Sequence, residues 1–204
     1  MFARAILTGA VAISAATAAL GDVLPVQRPV LKEGDQWTVA RQDALTKATL
    51  SKSTRAVKLV ESSKIAMSFG ARDGVITPDL TILDSGNVVN DVGYQLLRFP
   101  LEAEASWEFK TNWQNRSSGN AGLSSFKVKV LGEEKKTTPA GAFDTVKLRA
   151  VGSMTSQRFP GKIWSVTLTY WYAPAVKALV RYEWRDNFRD LDVDEELIEF
   201  KLAD

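Results

Sequence analysis

The sequence predicts an all-β protein: a single curved antiparallel meander sheet, half-barrel or barrel-like, with little helix. Three observations carry this. Apolar and polar residues alternate with a period of two along much of the chain, as in strands with one face buried. The connections between these segments are short and rich in Gly, Pro, Asn and Asp, which suits antiparallel neighbours, because a parallel crossover needs a dozen or more residues. No segment carries a convincing 3.6-residue apolar period.

Taken in order, Leu24–Val30 holds Pro25 and Pro29 and reads as extended and irregular. Gln36–Arg41 and Arg55–Val60 are rich in strand formers, and Asp43–Lys52 (DALTKATLSK) between them is the one weak helix candidate, its Thr and Ser lowering helix propensity. Lys64–Gly70 and Val75–Leu83 flank Asp73-Gly74, a pair that signals a hairpin turn. Asp84-Ser85-Gly86-Asn87 reads as a second turn before Val88. Trp107, Phe109, Thr111 and Trp113 alternate with Glu108, Lys110 and Asn112, and a polar loop, Asn115–Gly122, follows. Phe126, Val128 and Val130 alternate with Lys127 and Lys129, Pro139-Ala140-Gly141 reverses the chain, and Val146, Leu148 and Ala150 oppose Lys147 and Arg149. Trp164, Val166, Leu168, Tyr170 and Tyr172 then share one face, Pro174 ends that strand, and Val180, Tyr182 and Trp184 share the next. Ile198, Phe200 and Leu202 close a count of about ten or eleven strands. An apolar sheet face of this extent has to curl on itself or pack on something.

The opening segment, MFARAILTGAVAISAATAALGDV, has a single cation at Arg4, an apolar run and Ala16-Thr17-Ala18. These are the marks of a secretory signal peptide over residues 1–18, leaving residues 19–204 as one β-rich domain. The apolar run, Ala5 to Leu20, is Ala-rich and shorter than the ~20 strongly apolar residues of a membrane span. No second hydrophobic segment follows, so no transmembrane span is expected after cleavage, and the expected location is periplasmic or secreted. A lipid anchor would need a cysteine after the signal, and the chain has none. A membrane barrel is the rival, but such barrels typically end in an aromatic residue, and this chain ends Phe200-Lys201-Leu202-Ala203-Asp204.

With no histidine and no cysteine, the commonest general bases, thiol nucleophiles and transition-metal ligands are missing. Serine and threonine have no imidazole to activate them. The expectation is a non-enzymatic protein with no catalytic residue, cofactor or metal. A carboxylate pair built from Glu183 with Glu108 or Glu133 is chemically possible, but Arg181 and Arg185 share the face of Glu183. Asp190, Asp192 and Asp194 alternate as in calcium loops but lack the glycine of that pattern, so Asp190–Glu196 reads as an exposed acidic turn. Lys plus Arg number 26 against 24 Asp plus Glu, which leaves no concentrated basic face for nucleic acid.

Three blocks have specific punctuation: Phe99-Pro100-Leu101 with Trp107, then Pro139-Ala140-Gly141-Ala142-Phe143-Asp144-Thr145, then Tyr170-Trp171-Tyr172-Ala173-Pro174 followed by Val180-Arg181-Tyr182-Glu183. They resemble a family of exported bacterial proteins of unknown function that share a PAGxFxT turn and a YWYxP strand end followed by VxYE. The resemblance spans Phe99 to Leu202 and implies a fold without implying an activity. At fold level the chain is also similar to the periplasmic lipoprotein-carrier half-barrels, which hold acyl chains.

The candidate ligand-binding residues are Tyr170, Tyr172, Tyr182 and Trp184, which share one sheet face, and Trp171. The parity of Trp171 with Ser165, Thr167 and Thr169 marks it as the tryptophan expected to be exposed. Three readings follow. A carrier of lipid or another amphiphile predicts a cavity lined by the tyrosine and Trp184 face. An envelope scaffold that binds other envelope proteins predicts a filled core and an exposed apolar patch or open strand edge. A glycan binder predicts Trp171 or Trp113 exposed beside amide or carboxylate side chains.

Overall fold

The computed structural model describes residues 23–187 and 192–204. The expected signal peptide, residues 1–18, and Asp190 lie outside the described residues. Twelve strands run in sequence: β1 Gln36–Asp43, β2 Thr49–Val60, β3 Ile65–Phe69, β4 Arg72–Ile76, β5 Ile82–Asp84, β6 Val88–Tyr94, β7 Ser106–Asn115, β8 Ala121–Thr138, β9 Gly141–Thr155, β10 Ile163–Ala173, β11 Ala178–Asp186 and β12 Val193–Lys201. Each pairs antiparallel with the next, and β12 pairs with β1, so the meander closes into a twelve-stranded barrel with no open edge. The expected architecture is therefore the observed one, with closure complete.

Alternation decides which face turns inward. Trp107 and Phe109 of β7, Phe126, Val128 and Val130 of β8, Leu148 and Ala150 of β9, and Trp164, Val166, Leu168 and Tyr170 of β10 form one continuous buried cluster. The intervening Glu108, Lys110, Lys127, Lys129 and Arg149 are exposed. An apolar inside with a charged outside is the inverse of a lipid-embedded barrel. Among the described residues no helix is long and apolar enough to cross a membrane.

Local chemistry corrects several expectations. Asp43–Lys52 is a strand reversal and not a helix: Asp43 Oδ1 accepts the amides of Leu45 and Thr46, and Lys47 takes a left-handed conformation, φ 59°. The hairpin expected at Asp73-Gly74 turns earlier, at Gly70-Ala71. There Phe69 pairs with Arg72 and Gly70 supplies the positive φ that a two-residue hairpin turn needs. Asp73-Gly74 lies inside β4, where a side chain at Gly74 would strike the Asp84 carbonyl. The acidic run Asp190–Glu196 is not an exposed turn throughout, because Val193–Glu196 belongs to β12 and Asp194 is fully buried.

One end of the barrel is filled by irregular chain. The connection between β6 and β7 carries Leu96, Leu97, Phe99 and Leu101 into the core, and Tyr170 Oη donates to the Leu96 carbonyl at 2.7 Å. Val26 pairs with Leu101, which brings the N-terminal segment to the same end. Outside the barrel, β8 and β9 are bent at a bulge between Val130 and Gly132, and their far ends fold over β12. The Ala140 amide meets the Leu197 carbonyl there, and Phe143 meets Phe200 edge to face, with centroids 6.0 Å apart.

Two buried carboxylates fasten the ends of the seam. Asp35 accepts the amide of Lys32 at 2.9 Å, the amide of Ala203 at 2.8 Å and the Lys177 ammonium at 3.0 Å. It thereby joins the chain before β1, the chain after β12 and the β10–β11 connection. Asp194 accepts Arg181 at 2.6 Å, Arg185 at 2.7 Å and Lys47 at 3.0 Å. Burial raises both carboxyls, but these donors outweigh it and hold each below the ordinary carboxylate value.

A carboxyl depressed in the folded state contributes stability above its unfolded pKa and loses that contribution as the pH falls through the folded value. Urea unfolding midpoints should therefore fall as the solution is taken below the ordinary carboxylate range. Asp35→Ala should cost about 3 kcal/mol at neutral pH, because it strands two amides and an ammonium. The same variant should show a shallower acid dependence than the parent protein.

Candidate functional site: a cavity at the open end of the barrel

The end opposite the filling segment is hollow. A cavity of about 640 Å³ opens there, walled by Tyr94, Trp113, Met154, Trp164 and Trp184 and ringed by Asn90, Asn115, Asn120, Ser156, Arg158 and Phe159. The meander alternates direction, so every second connection falls at this end: the β5–β6 turn, the β7–β8 loop and the β9–β10 loop.

The rim is held by its own polar side chains. Asn120 Oδ1 accepts from Ser156 Oγ at 2.9 Å and from the Arg158 amide at 3.2 Å, tying the β9–β10 loop to the β7–β8 loop. Gln157 donates its amide to the Ala121 carbonyl at 2.8 Å. Asn115 Oδ1 accepts the amides of Ser117 and Ser118, each at 3.0 Å. Trp113 can lie along β8 because residue 122 is glycine: a Cβ there would sit 2.7 Å from the Trp113 ring. Asn90 donates to the Ile82 carbonyl at 3.2 Å, fixing the short β5 to β6. Below Asn90 the strands β6 and β7 separate. Asp91 bridges the gap by accepting the amide and side chain of Asn112 and the hydroxyl of Thr111, which hold its carboxyl below the usual range despite some desolvation.

The structure divides the candidate residues. Trp184 stands on the cavity wall, its indole N–H donating to Asp186 at 2.8 Å. Tyr182 packs on the core beside Tyr170, with ring centroids 6.4 Å apart. Tyr170 and Tyr172 are fully buried in the filled half and line no part of the cavity, so the expected aromatic face is a wall at one end and a core at the other. Trp171 is corrected more sharply. Its parity does place it on the opposite face from Tyr170, but it is 3% exposed, because the bent β8–β9 hairpin lies over that face and sets the Lys136 ammonium 3.8 Å from its ring centroid.

Burial pushes the hydroxyls of Tyr94, Tyr170, Tyr172 and Tyr182 up, so all four phenols stay neutral. No group of three or more acidic side chains able to hold a metal ion occurs among the described residues. What the site offers is an aromatic wall and a polar rim.

The cavity residues that sequence reading missed are Asn90, Asn115, Asn120 and Arg158, together with the wall position of Trp113 and Trp164. The available signal was position: both tryptophans sit where an alternating strand meets a polar loop. Only barrel closure shows that these loops share one end.

No family model matches the chain, and a search of curated protein sequences returns no match. Among solved structures the chain is similar to a protein of Parabacteroides distasonis ATCC 8503, provisionally assigned as a lipoprotein. The identity is 18% with a TM-score of 0.57, over 86% of this chain and 99% of that one. It is also similar to a protein of Bacteroides fragilis NCTC 9343, provisionally assigned as exported and described as having a YmcC-like fold. There the identity is 17% with a TM-score of 0.51, over 86% of this chain and 99% of that one. The hypothetical lipoprotein YmcC of Escherichia coli K12 gives 14% identity and a TM-score of 0.49, over 83% of this chain and 85% of that one. At these identities the likeness is one of fold, and the fold is YmcC-like.

Two tyrosines one turn of the pleat apart give a test of the filled half. Tyr172 Oη has no hydrogen-bond partner among the described residues, whereas Tyr170 Oη holds Leu96. Tyr170→Phe should lower unfolding stability by about 1 kcal/mol, and Tyr172→Phe should leave it unchanged or raised, as read from parallel denaturant curves.

Proposed function

We propose that the protein is an exported, non-catalytic barrel of the cell envelope that binds a small amphipathic ligand in the cavity at its open end. The observation that supports this best is the cavity itself: its volume lies within the 300–1,000 Å³ usual for small-molecule sites, and aromatic walls under a few placed polar groups are their usual lining. The scaffold reading expects a filled core and either an exposed apolar patch or an open strand edge, and the hollow end and the closed seam speak against the filled core and the open edge. The non-catalytic reading rests on the absence of histidine and cysteine and on the neutral tyrosines. Export is supported by the opening segment of the sequence and by the descriptions given to the proteins of similar fold.

A second reading, a glycan binder, draws on one feature. Trp113 borders both the cavity and an outer groove of about 800 Å³ that is also lined by Asn112, Gln114 and Gln157. Aromatic faces beside amides suit sugar rings. Trp171 has no part in it, being buried.

Native mass spectrometry of the protein purified without detergent, with solvent extraction of the same sample, tests the first reading. A stoichiometric amphiphile should be found, and Met154→Trp, which fills the cavity from β9, should lose it while still unfolding cooperatively. A bare mass for the parent protein, persisting after incubation with lipid extract, would remove the proposal.

A further inference from the structure

We propose that the ligand is an anionic single-chain amphiphile, seated with its headgroup among Asn115, Asn120 and Arg158 and its chain running inward toward Tyr94 and Ile82. This rests on the amphiphile-binding reading above and names the chemistry of that ligand.

The argument begins with what the rim has left to give. The oxygens of Asn115 and Asn120 are both taken by backbone amides of the rim loops. An amide nitrogen of the main chain can only donate, so these bonds fix which end of each carboxamide is the oxygen. What remains of the two asparagines is their NH₂ groups, which can only donate. The Ser156 hydroxyl is spent on Asn120 and the Arg158 amide, and the Ser85 hydroxyl on the main chain of Val88.

Charge points the same way. Among the described residues that line the cavity, Arg158 is the one charged side chain and none is a carboxylate. Its guanidinium lies 5.9 Å from the Phe159 ring centroid and makes no ion pair among the described residues. The nearby acids are already engaged: Asp84 with Arg116 at 2.8 Å, and Asp186 with the Trp184 indole. Among the described residues the mouth thus has a surplus of N–H donors and one cation without an ion pair. That combination favours a carboxylate, sulfate or phosphate, since hydrogen bonds to an ionised acceptor are about twice as strong as neutral ones.

Depth supplies the other half of the ligand. Below the rim the wall turns aromatic and apolar, and Tyr94 and Ile82 border both this cavity and a deeper chamber of about 110 Å³ walled by Met67, Phe69, Leu96 and Leu179. Arg55 and Lys177 also line that chamber, but each is already paired, with Glu195 at 2.6 Å and with Asp35 at 3.0 Å, so a charged group gains little by leaving the wet rim, whereas a hydrocarbon chain gains by entering.

The test is calorimetric titration of the full chain with twelve-carbon probes below their micellar concentrations: laurate, dodecyl sulfate, dodecyl phosphate, dodecyl maltoside and dodecyltrimethylammonium. The three anions should bind more tightly than the cation, and their order should identify the acceptor group. Arg158→Gln, an exposed change whose folding is checked by circular dichroism, should weaken the anions about fivefold to tenfold and leave dodecyl maltoside unchanged. Tyr94→Ala should shift the preference from laurate toward palmitate. Equal affinity across head charges, or an Arg158→Gln effect equal for every probe, would overturn the anionic assignment while leaving amphiphile binding standing. Failure of all five probes to bind would overturn both readings, and binding of an oligosaccharide in their place would transfer the cavity to the glycan reading.

Discussion

The pairing of β1 with β12 is the constraint on which the rest of the molecule depends. A meander with one apolar face exposes its interior along two free edges until those edges meet. Here the meeting is made by eight register pairs, from Gln36 with Lys201 to Asp43 with Val193, interrupted by one bulge. A buried carboxylate stands at each end of the seam: Asp35 collects chain from before β1 and after β12, and Asp194 binds the β1–β2 turn to β11. Neither carboxylate would be tolerated at such depth without its full set of donors. Their donors come from segments far apart in sequence, so the two sites are satisfied only in the closed form.

Closure also explains why one barrel contains both a core and a cavity. Twelve strands enclose more space than their own inward side chains fill. The connection between β6 and β7 makes up the difference at one end with Leu96, Leu97, Phe99 and Leu101, and it is fixed there by Tyr170 and by the Trp107 indole on the Gln95 carbonyl. It extends only partway along the axis. Beyond it the inward positions continue as Trp113, Met154, Trp164 and Trp184, which wall the cavity. The same alternating aromatic pattern is therefore core where the segment reaches and wall where it does not.

This accounts for what was legible in the sequence. The strands from β7 to β10 are readable because alternation runs through most of their length, and Pro139-Ala140-Gly141 and Pro174 punctuate them where the structure turns; in β12 the face read from Ile198 and Phe200 is the outer one, and Leu197 is the residue that is fully buried. The first half was less legible: Asp73-Gly74 looks like a turn by composition, while the close approach of the Asp84 carbonyl, which demands glycine inside β4, is a tertiary fact. Trp171 was assigned to the outer face correctly and to solvent wrongly, since parity gives a face without showing that a bent hairpin covers it. The site was half legible. Trp184 stands on the cavity wall, whereas Tyr170, Tyr172 and Tyr182 share its face and pack in or on the core. The donors at the rim come from loops whose shared position exists only after closure.

The seam has a kinetic side. Gln36 and Lys201 lie at nearly opposite ends of the chain, and contacts of such separation are formed slowly, because the entropy of closing the loop is lost before any contact repays it. Until β12 arrives, the meander is an open sheet with two unpaired edges and an uncovered apolar face, the kind of species that associates with its own copies. A chain of this design gains from being kept extended until all of it is present, and from folding in one cooperative step. The closure that shelters the interior thus makes the interval before it the period of greatest exposure in the life of the protein.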